Sequence, residues 1–349
     1  MKKVIFAAIG FSGQGGSETV YNTVLEHYST DENLGIKLVS FDSVPSNWCA
    51  ANVTKENFVL RTQAQTPQNK IKLMIGLFRY FSRVNADIVI SSSPGTLKIL
   101  NFARKFNHHK FKIVSWVHFD LTADKAQTVA EIADQFVSLS DSNTNHLQAL
   151  SYPAERILTV YNPIKKQDKT ITGNGKTVRL IYIGRLQFGQ ETQKNLRELF
   201  DALSNLTSTN WHLDLYGDGD ERENCEHYVE QIEIAENVTF HGWTTHPFDK
   251  ISDATALVMT SNYEGLPMAM IEAMSYGIPV ISSEINGPKE LITAENGLLY
   301  PLHQTEKLTA LLEKVIKLEV KFDAEAVKSS VSKYYEENYF VKFDKVFEE

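Results

Sequence analysis

Cysteine is almost missing from this sequence. Only Cys49 and Cys225 occur in 349 residues, far apart, so neither a disulfide framework nor a metal-ligand spacing is set. That usage predicts a reducing compartment. Long apolar runs are missing as well, and none approaches the ~20 residues of a membrane-spanning helix. Lys2 and Lys3 do precede an apolar run, but it is short and ends in Gly13-Gln-Gly-Gly16, so it reads as a first strand and a βα turn and not as a secretory leader. A cytoplasmic protein is expected. No short-period repeat or low-complexity tract occurs. The dinucleotide fingerprint, G-x-G-x-x-G with an acid closing the second strand, is absent, which argues against a nicotinamide-dependent dehydrogenase. No acids at a strand end are paired at metal-ligand spacing.

Positive charge is scarce overall but unevenly placed. The net charge is −8, yet residues 1–163 hold 16 Lys and Arg against 13 Asp and Glu, and the remainder is strongly acidic. Between Lys55 and Lys112 eleven cations face only Glu56 and Asp87. Such a stretch suits an anionic partner, either membrane lipid headgroups or a phosphorylated glycan, and equally an ordinary solvated helix face. Nucleic acid is disfavoured, because the basic stretch carries no recognised motif and the whole chain is acidic.

The chain is long enough for two domains. Apolar strand-like runs at 3–9, 36–41, 86–91, 111–117 and 135–140 alternate with helical patterns, and a second series starts at Val178-Arg-Leu-Ile-Tyr-Ile-Gly184. Further strands are expected at 211–216, 238–241, 256–260 and 279–282. Alternation of this kind predicts two α/β domains with parallel sheets, joined by the polar stretch 165–176.

The stretch from Ser261 to Val280 carries the densest chemistry, as strand end, loop, helix and strand. Gly265 and Pro267 turn the loop into a helix start, where free backbone N–H groups suit an anion such as a diphosphate. Glu264 stands at the mouth of this loop. Glu272 follows two turns later among Met270, Ile271, Ala273 and Met274, an apolar setting for an acid. Two carboxylates suit hydroxyls better than phosphate, and a sugar nucleotide offers both hydroxyls and a diphosphate. At the end of the first strand of the second series, Arg185 offers a planar fork to phosphate, and Lys194, opening the next helix, offers a compact charge. His118 falls after the strand 112–117, at the carboxyl edge where parallel sheets hold ligands.

Gly184-Arg-Leu186, Lys194-Asn195, Leu215-Tyr-Gly-Asp-Gly219, Phe240-His-Gly-Trp243, Glu264-Gly-Leu-Pro-Met268 and Glu272-Ala-Met-Ser-Tyr-Gly-Ile-Pro-Val280 resemble the signature of the family four retaining glycosyltransferases, which have the GT-B fold. Gly15-Gly-Ser-Glu18, Trp116-Val-His118 and Tyr161-Asn-Pro163 extend the resemblance over nearly the whole chain. Within that family it is most similar in appearance to the lipopolysaccharide core galactosyltransferases of the UDP-galactose 1,6 type.

The resemblance implies two Rossmann-like domains facing across a cleft, with a C-terminal helix crossing back. Residues 1–164 would bind the acceptor, through loops such as 43–68. Residues 165–325 would bind the nucleotide sugar, and 326–349 would pack towards the first domain. It further implies that Arg185 and Lys194 bind the diphosphate and stabilise it as it leaves, that Glu272 holds the ribose, and that Glu264 lies beside the donor hexose. His118 would reach the donor from the other domain, the backbone of Gly265, Leu266, Pro267 and Met268 would hold hexose or phosphate, and Gly16 would allow close approach. The implied reaction moves a hexose of galactose or glucose type from a UDP-sugar to a cell-surface glycan or glycolipid, with retention and without a metal or other cofactor. The basic stretch 55–112 leaves a peripheral position at the inner face of the membrane open beside a cytoplasmic one. A reading of another class is a non-catalytic GT-B partner subunit that activates a sister enzyme. Such a subunit would be free to lose Arg185, Lys194 and Glu272, and all three are present.

Overall fold

The computed structural model describes residues 1–8, 16–40, 52–57, 67–116, 118 and 121–348. The glycine turn at 13–15 and most of the expected acceptor loop at 43–68 lie outside them. The chain divides into two compact units, Met1–Pro163 with Tyr339–Glu349, and Ile164–Asn338.

The first unit runs β1 (Lys2–Ala8), α1 (Gly16–Tyr28), β2 (Leu34–Ser40), β3 (Thr54–Asn57), α2 (Pro67–Phe81), β4 (Ile88–Ser91) and α3 (Pro94–Phe106). It continues with β5 (Lys112–Ser115), α4 (Ala123–Ile132), β6 (Gln135–Ser138), α5 (Asp141–Ala149) and β7 (Ile157–Thr159). Its seven strands pair in parallel in the order β3-β2-β1-β4-β5-β6-β7. Short all-apolar strands are what a sheet covered on both faces requires. β4 is buried at every residue, and Val89, Leu97, Leu100, Ile113 and Phe136 belong to one core cluster.

The second unit runs β8 (Val178–Ile183), α6 (Leu196–Ser204), β9 (Trp211–Tyr216), α7 (Arg222–Gln231), β10 (Val238–Gly242), α8 (Pro247–Lys250) and β11 (Ala256–Met259). After these come α9 (Met268–Ser275), β12 (Val280–Ser283), α10 (Asn286–Leu291), β13 (Gly297–Tyr300), α11 (Thr305–Ile316), α12 (Ala324–Ser330) and α13 (Glu336–Phe343). Six parallel strands take the order β10-β9-β8-β11-β12-β13. In α6, Leu196, Leu199, Phe200 and Leu203 repeat at helical spacing and all four are buried, which lays this helix on the sheet beside α11.

Two features differ from the sequence-based expectation. The stretch read as a linker, 165–176, is pinned to the second unit. Ile171 is buried and its N–H donates to the Tyr276 carbonyl, while Lys169 Nζ donates to the carbonyls of Phe248 and Ile251. One apolar residue in a polar run was enough to anchor it. The C-terminal segment 326–349 also divides. Val327, Val331 and Tyr334 are buried within the second unit, and only residues from Tyr339 onward join the first. There Tyr28 Oη donates to Asp344 Oδ1 at 2.7 Å, Lys2 Nζ to the Phe347 carbonyl at 2.7 Å, and Phe343 lies edge-on to Trp116. The aromatic residues of this tail thus complete the first core after the chain has finished the second.

Candidate active site

The strand order of the second unit reverses direction between β8 and β11, and such a reversal opens a crevice at the carboxyl ends of the strands. The loops leaving these two strands, 184–195 and 260–267, meet at that point. Asn262 ties them. Its Nδ2 donates to the carbonyls of Gln190 at 2.5 Å and Thr192 at 2.7 Å, and its backbone N–H donates to Gln193 at 2.8 Å. Thr260 Oγ1 adds bonds to the Lys194 and Asn195 carbonyls at 3.2 and 2.9 Å.

This frame holds Lys194 Nζ 2.5 Å from Glu264 Oε1, with the two side chains 12% and 9% exposed. Ser261 Oγ donates to the same carboxylate oxygen at 2.9 Å, and Gln193 Nε2 donates to the other at 3.4 Å. Arg185 Nη2 reaches Gln193 Oε1 at 3.2 Å, so Arg185, Gln193, Glu264 and Lys194 form one connected network. Arg185 is exposed and makes no ion pair among the described residues, which leaves most of its fork for an anion. Gln193 and Ser261 were not expected. Neither has a signature beyond being polar in a polar loop.

Backbone detail explains how these groups are presented. Asn195, the N-cap of α6, is buried in a left-handed conformation (φ 44°, ψ 51°), which turns the chain sharply between Lys194 and the helix. Its Nδ2 donates to Glu198 Oε2 at 2.8 Å, and burial pushes the Glu198 carboxyl up to about 7. Behind Arg185, Gly217 (φ +152°) passes so close that a Cβ there would lie 1.8 Å from the Gly184 carbonyl oxygen. The glycine of the Gly217-Asp-Gly219 motif therefore seats the Arg185 loop.

At the head of α9, Pro267 is the N-cap and the helix begins at Met268. Pro267 makes no side-chain cap, so the amides that open α9 are left without one at the head of the helix. Glu272 lies one turn further, on a half-buried position between buried Ile271 and Ala273. Its carboxylate has no ion-pair or hydrogen-bond partner among the described residues, and desolvation raises it to about 7. Although the residue keeps some exposed surface, dense apolar surroundings outweigh that exposure.

In the first unit, His118 follows β5 and its ring packs 4.4 Å from Trp116 and 5.2 Å from Tyr21. Burial pushes its imidazole down to about 3, so it is neutral at physiological pH. Its Nε2 is covered and has no partner among the described residues, an unspent donor or acceptor. Gly16 opens α1. No group of three His, Cys, Asp or Glu side chains among the described residues is set to hold a metal.

A doubly wound sheet whose switch point carries cations, two glutamates and a helix start without a side-chain cap suits a ligand that offers both a diphosphate and hydroxyls. Comparison with known proteins makes the class specific. Residues 164–331 match the family model described as glycosyl transferases group 1. The chain is 30% identical to a lipopolysaccharide 1,6-galactosyltransferase of Salmonella typhimurium, over 98% of its own length and 97% of that protein's. In structure it is similar to lipopolysaccharide outer core galactosyltransferase WaaB in its apo form, with TM-score 0.82, 29% identity and 99% of each chain covered. It shares its fold with Anabaena HepE in complex with UDP, at TM-score 0.77 and 15% identity over 100% of this chain and 99% of that one. The chain belongs to the family four glycosyltransferases of the GT-B fold.

Proposed function

We propose that this glycosyltransferase moves a hexose of galactose or glucose type from a UDP-sugar to a lipopolysaccharide core or related surface glycan, with retention and without a metal ion, at the cytoplasmic face of the membrane. The observation that carries the reading is the Arg185–Gln193–Glu264–Lys194 network at the switch point of the second sheet. The names of the full-length relatives support the acceptor class and the galactosyl group.

In this reading Arg185 and Lys194 take the diphosphate and stabilise the charge that develops on the departing oxygen, the work a metal does elsewhere. Lys194 already neutralises Glu264, so an incoming diphosphate would share it. Glu264 is then placed to accept from a hexose hydroxyl, and the amides of Gly265 to Met268 to hold hexose or phosphate. Glu272, carrying no partner of its own, takes the ribose hydroxyls. His118, neutral, exchanges a hydrogen bond with the hexose, and Gly16 admits the donor to the first domain. Retention follows if the leaving phosphate accepts the proton of the incoming hydroxyl on the face it departs from.

The test is a panel of UDP-galactose, UDP-glucose and UDP-N-acetylglucosamine, with turnover and thermal shift measured for each and the anomeric configuration of the product read by NMR. One donor should stabilise and turn over with retention, and chelator should leave the rate unchanged. Failure of every UDP-sugar to bind would overturn the donor class; an inverted product would overturn retention; a chelator-sensitive rate would overturn metal independence.

Glu272 gives a pH prediction. Ribose hydroxyls donate to an ionised carboxylate, so binding favours the form that dominates above about 7. Affinity for uridine, which carries no titrating phosphate, should rise up to about tenfold per unit as pH climbs towards 7 and level off above it. Calorimetric titration of Glu272→Gln should show weaker binding and a flat profile; an unchanged profile would remove Glu272 from the ribose site.

A further inference from the structure

Glu198 is a buried acid to which the transfer chemistry gives no task. It lies in the first turn of α6, 3% exposed, among Leu196, Leu199 and Phe200, which are buried and apolar. A carboxyl taken out of water is unfavourable, and an apolar side chain would pack on this face of the helix with less penalty.

Asn195 and Glu198 have the spacing of a capping box, the N-cap and the third helical residue. The box does not form. The Asn195 N–H donates to Thr192 Oγ1 at 3.3 Å, and the amides of Leu196, Arg197 and Glu198 donate to the carbonyls of Gln187, Phe188 and Asn195 at 3.0, 3.1 and 3.2 Å. With the helix start satisfied in that way, the two side chains bond each other, Asn195 Nδ2 donating to Glu198 Oε2 at 2.8 Å. Asn195 Nδ2 is also 3.5 Å from Asn262 Oδ1, while Asn195 Oδ1 has no partner among the described residues. Tyr300 on β13 turns its hydroxyl towards Glu198 without a well-formed bond. The Glu198 carboxyl is thus the one close anchor of the Asn195 side chain among the described residues. Asn195 needs an anchor, because its left-handed φ of 44° is adopted at a cost by any residue with a Cβ, and a local side-chain hydrogen bond is what lets asparagine hold it.

We infer that Glu198 is a positioning residue for the transfer: it holds the Asn195 side chain, fixes the left-handed turn that follows Lys194, and so keeps the lysine ammonium in its place beside Glu264. The inference rests on the proposed role of Lys194 at the diphosphate. Glu198 touches no substrate itself; one hydrogen bond and one residue stand between it and the lysine.

The test compares affinities of the full chain for UDP and for uridine, which lacks the diphosphate, by calorimetry, together with kcat on whichever UDP-hexose it turns over. Glu198→Leu removes the acceptor. It should weaken UDP about tenfold, the loss of one hydrogen bond to a charged group, and lower kcat about 10²-fold, as for a group displaced by about 1 Å. Uridine should bind as before. Glu198→Gln keeps an oxygen for Asn195 and should bind UDP and turn over like the parent. Adding Asn195→Gly to Glu198→Leu should restore most of the affinity and rate, because glycine takes a positive φ without a side-chain anchor. An acid that only supports the packing of α6 predicts no such rescue. If Glu198→Leu does not fold, Asn195→Ala serves in its place, since it keeps the Cβ and loses the anchor; it should show the same two losses, and Asn195→Gly should escape them. Parental kcat and UDP affinity in Glu198→Leu, loss of uridine binding alongside UDP, or no recovery with glycine would overturn the inference and leave the role of Lys194 standing. Parental kcat and UDP affinity in Lys194→Ala would remove the role of the lysine, and this inference with it.

Discussion

Lys194→Ala is expected to lower kcat about 10²- to 10³-fold, the loss typical when a group that meets developing charge is removed. It should also lower stability, and the two effects have different causes. Lys194 and Glu264 lie 2.5 Å apart with little exposure, so removing the lysine leaves a carboxylate in a poorly solvated place with only Ser261 and Gln193 to satisfy it. Breaking a pair of that kind on one side costs on the order of 3 kcal/mol. Lys194→Met/Glu264→Gln removes both charges and should recover most of the melting temperature. It should recover none of the rate if, as proposed, Lys194 clamps the leaving diphosphate, because that cation is still missing. If instead Lys194→Ala melts early but turns over at the parental kcat, the lysine serves only to neutralise Glu264.

Much of this arrangement could be read from the chain because the physics that builds it is local. Val178–Ile183 and Trp211–Tyr216 are mostly apolar six-residue runs bounded by turns, and both are strands. The acid at 272 is flanked in sequence by methionine, isoleucine and alanine, and its raised carboxyl is the direct consequence of that setting. β3, β7 and β13 were not anticipated, β13 although its Gly-Leu-Leu-Tyr is mostly apolar. β3 reads Thr-Lys-Glu-Asn and forms because β2 offers it an edge, and β7 has three residues. The site shows the same division. Arg185, Lys194 and Glu264 stand out by residue type and by their places at strand and helix ends, but Gln193, which links Arg185 to Glu264, has no feature of its own until the loops meet.

Gly287 shows what only the folded chain reveals, and it carries the second large prediction. It sits at the second residue of α10, and a Cβ built there would lie 2.0 Å from the Gly265 carbonyl oxygen and 3.2 Å from that of Glu264. Both obstacles are backbone, so no side chain can swing aside. Gly287→Ala must displace either α10 or the 264–265 loop, an overpacking that costs roughly 1–3 kcal/mol. Pro288 and Leu291, both on α10, are buried and hold the helix to the core, so the helix is the better anchored of the two and the loop should yield. A shift near 1 Å in a group that must meet its substrate squarely costs about 10²-fold in rate. We therefore expect Gly287→Ala to fall about that far in kcat/KM while the protein remains folded by circular dichroism. Gly95→Ala is the control. A Cβ at Gly95 meets only Ser93 Oγ, at 3.6 Å, and the position lies in the first turn of α3, so alanine there should gain about 0.5 kcal/mol by restricting the unfolded chain and leave kcat/KM unchanged. Equal behaviour of the two variants would mean that the approach of α10 to the Glu264 loop does not set the geometry of the site.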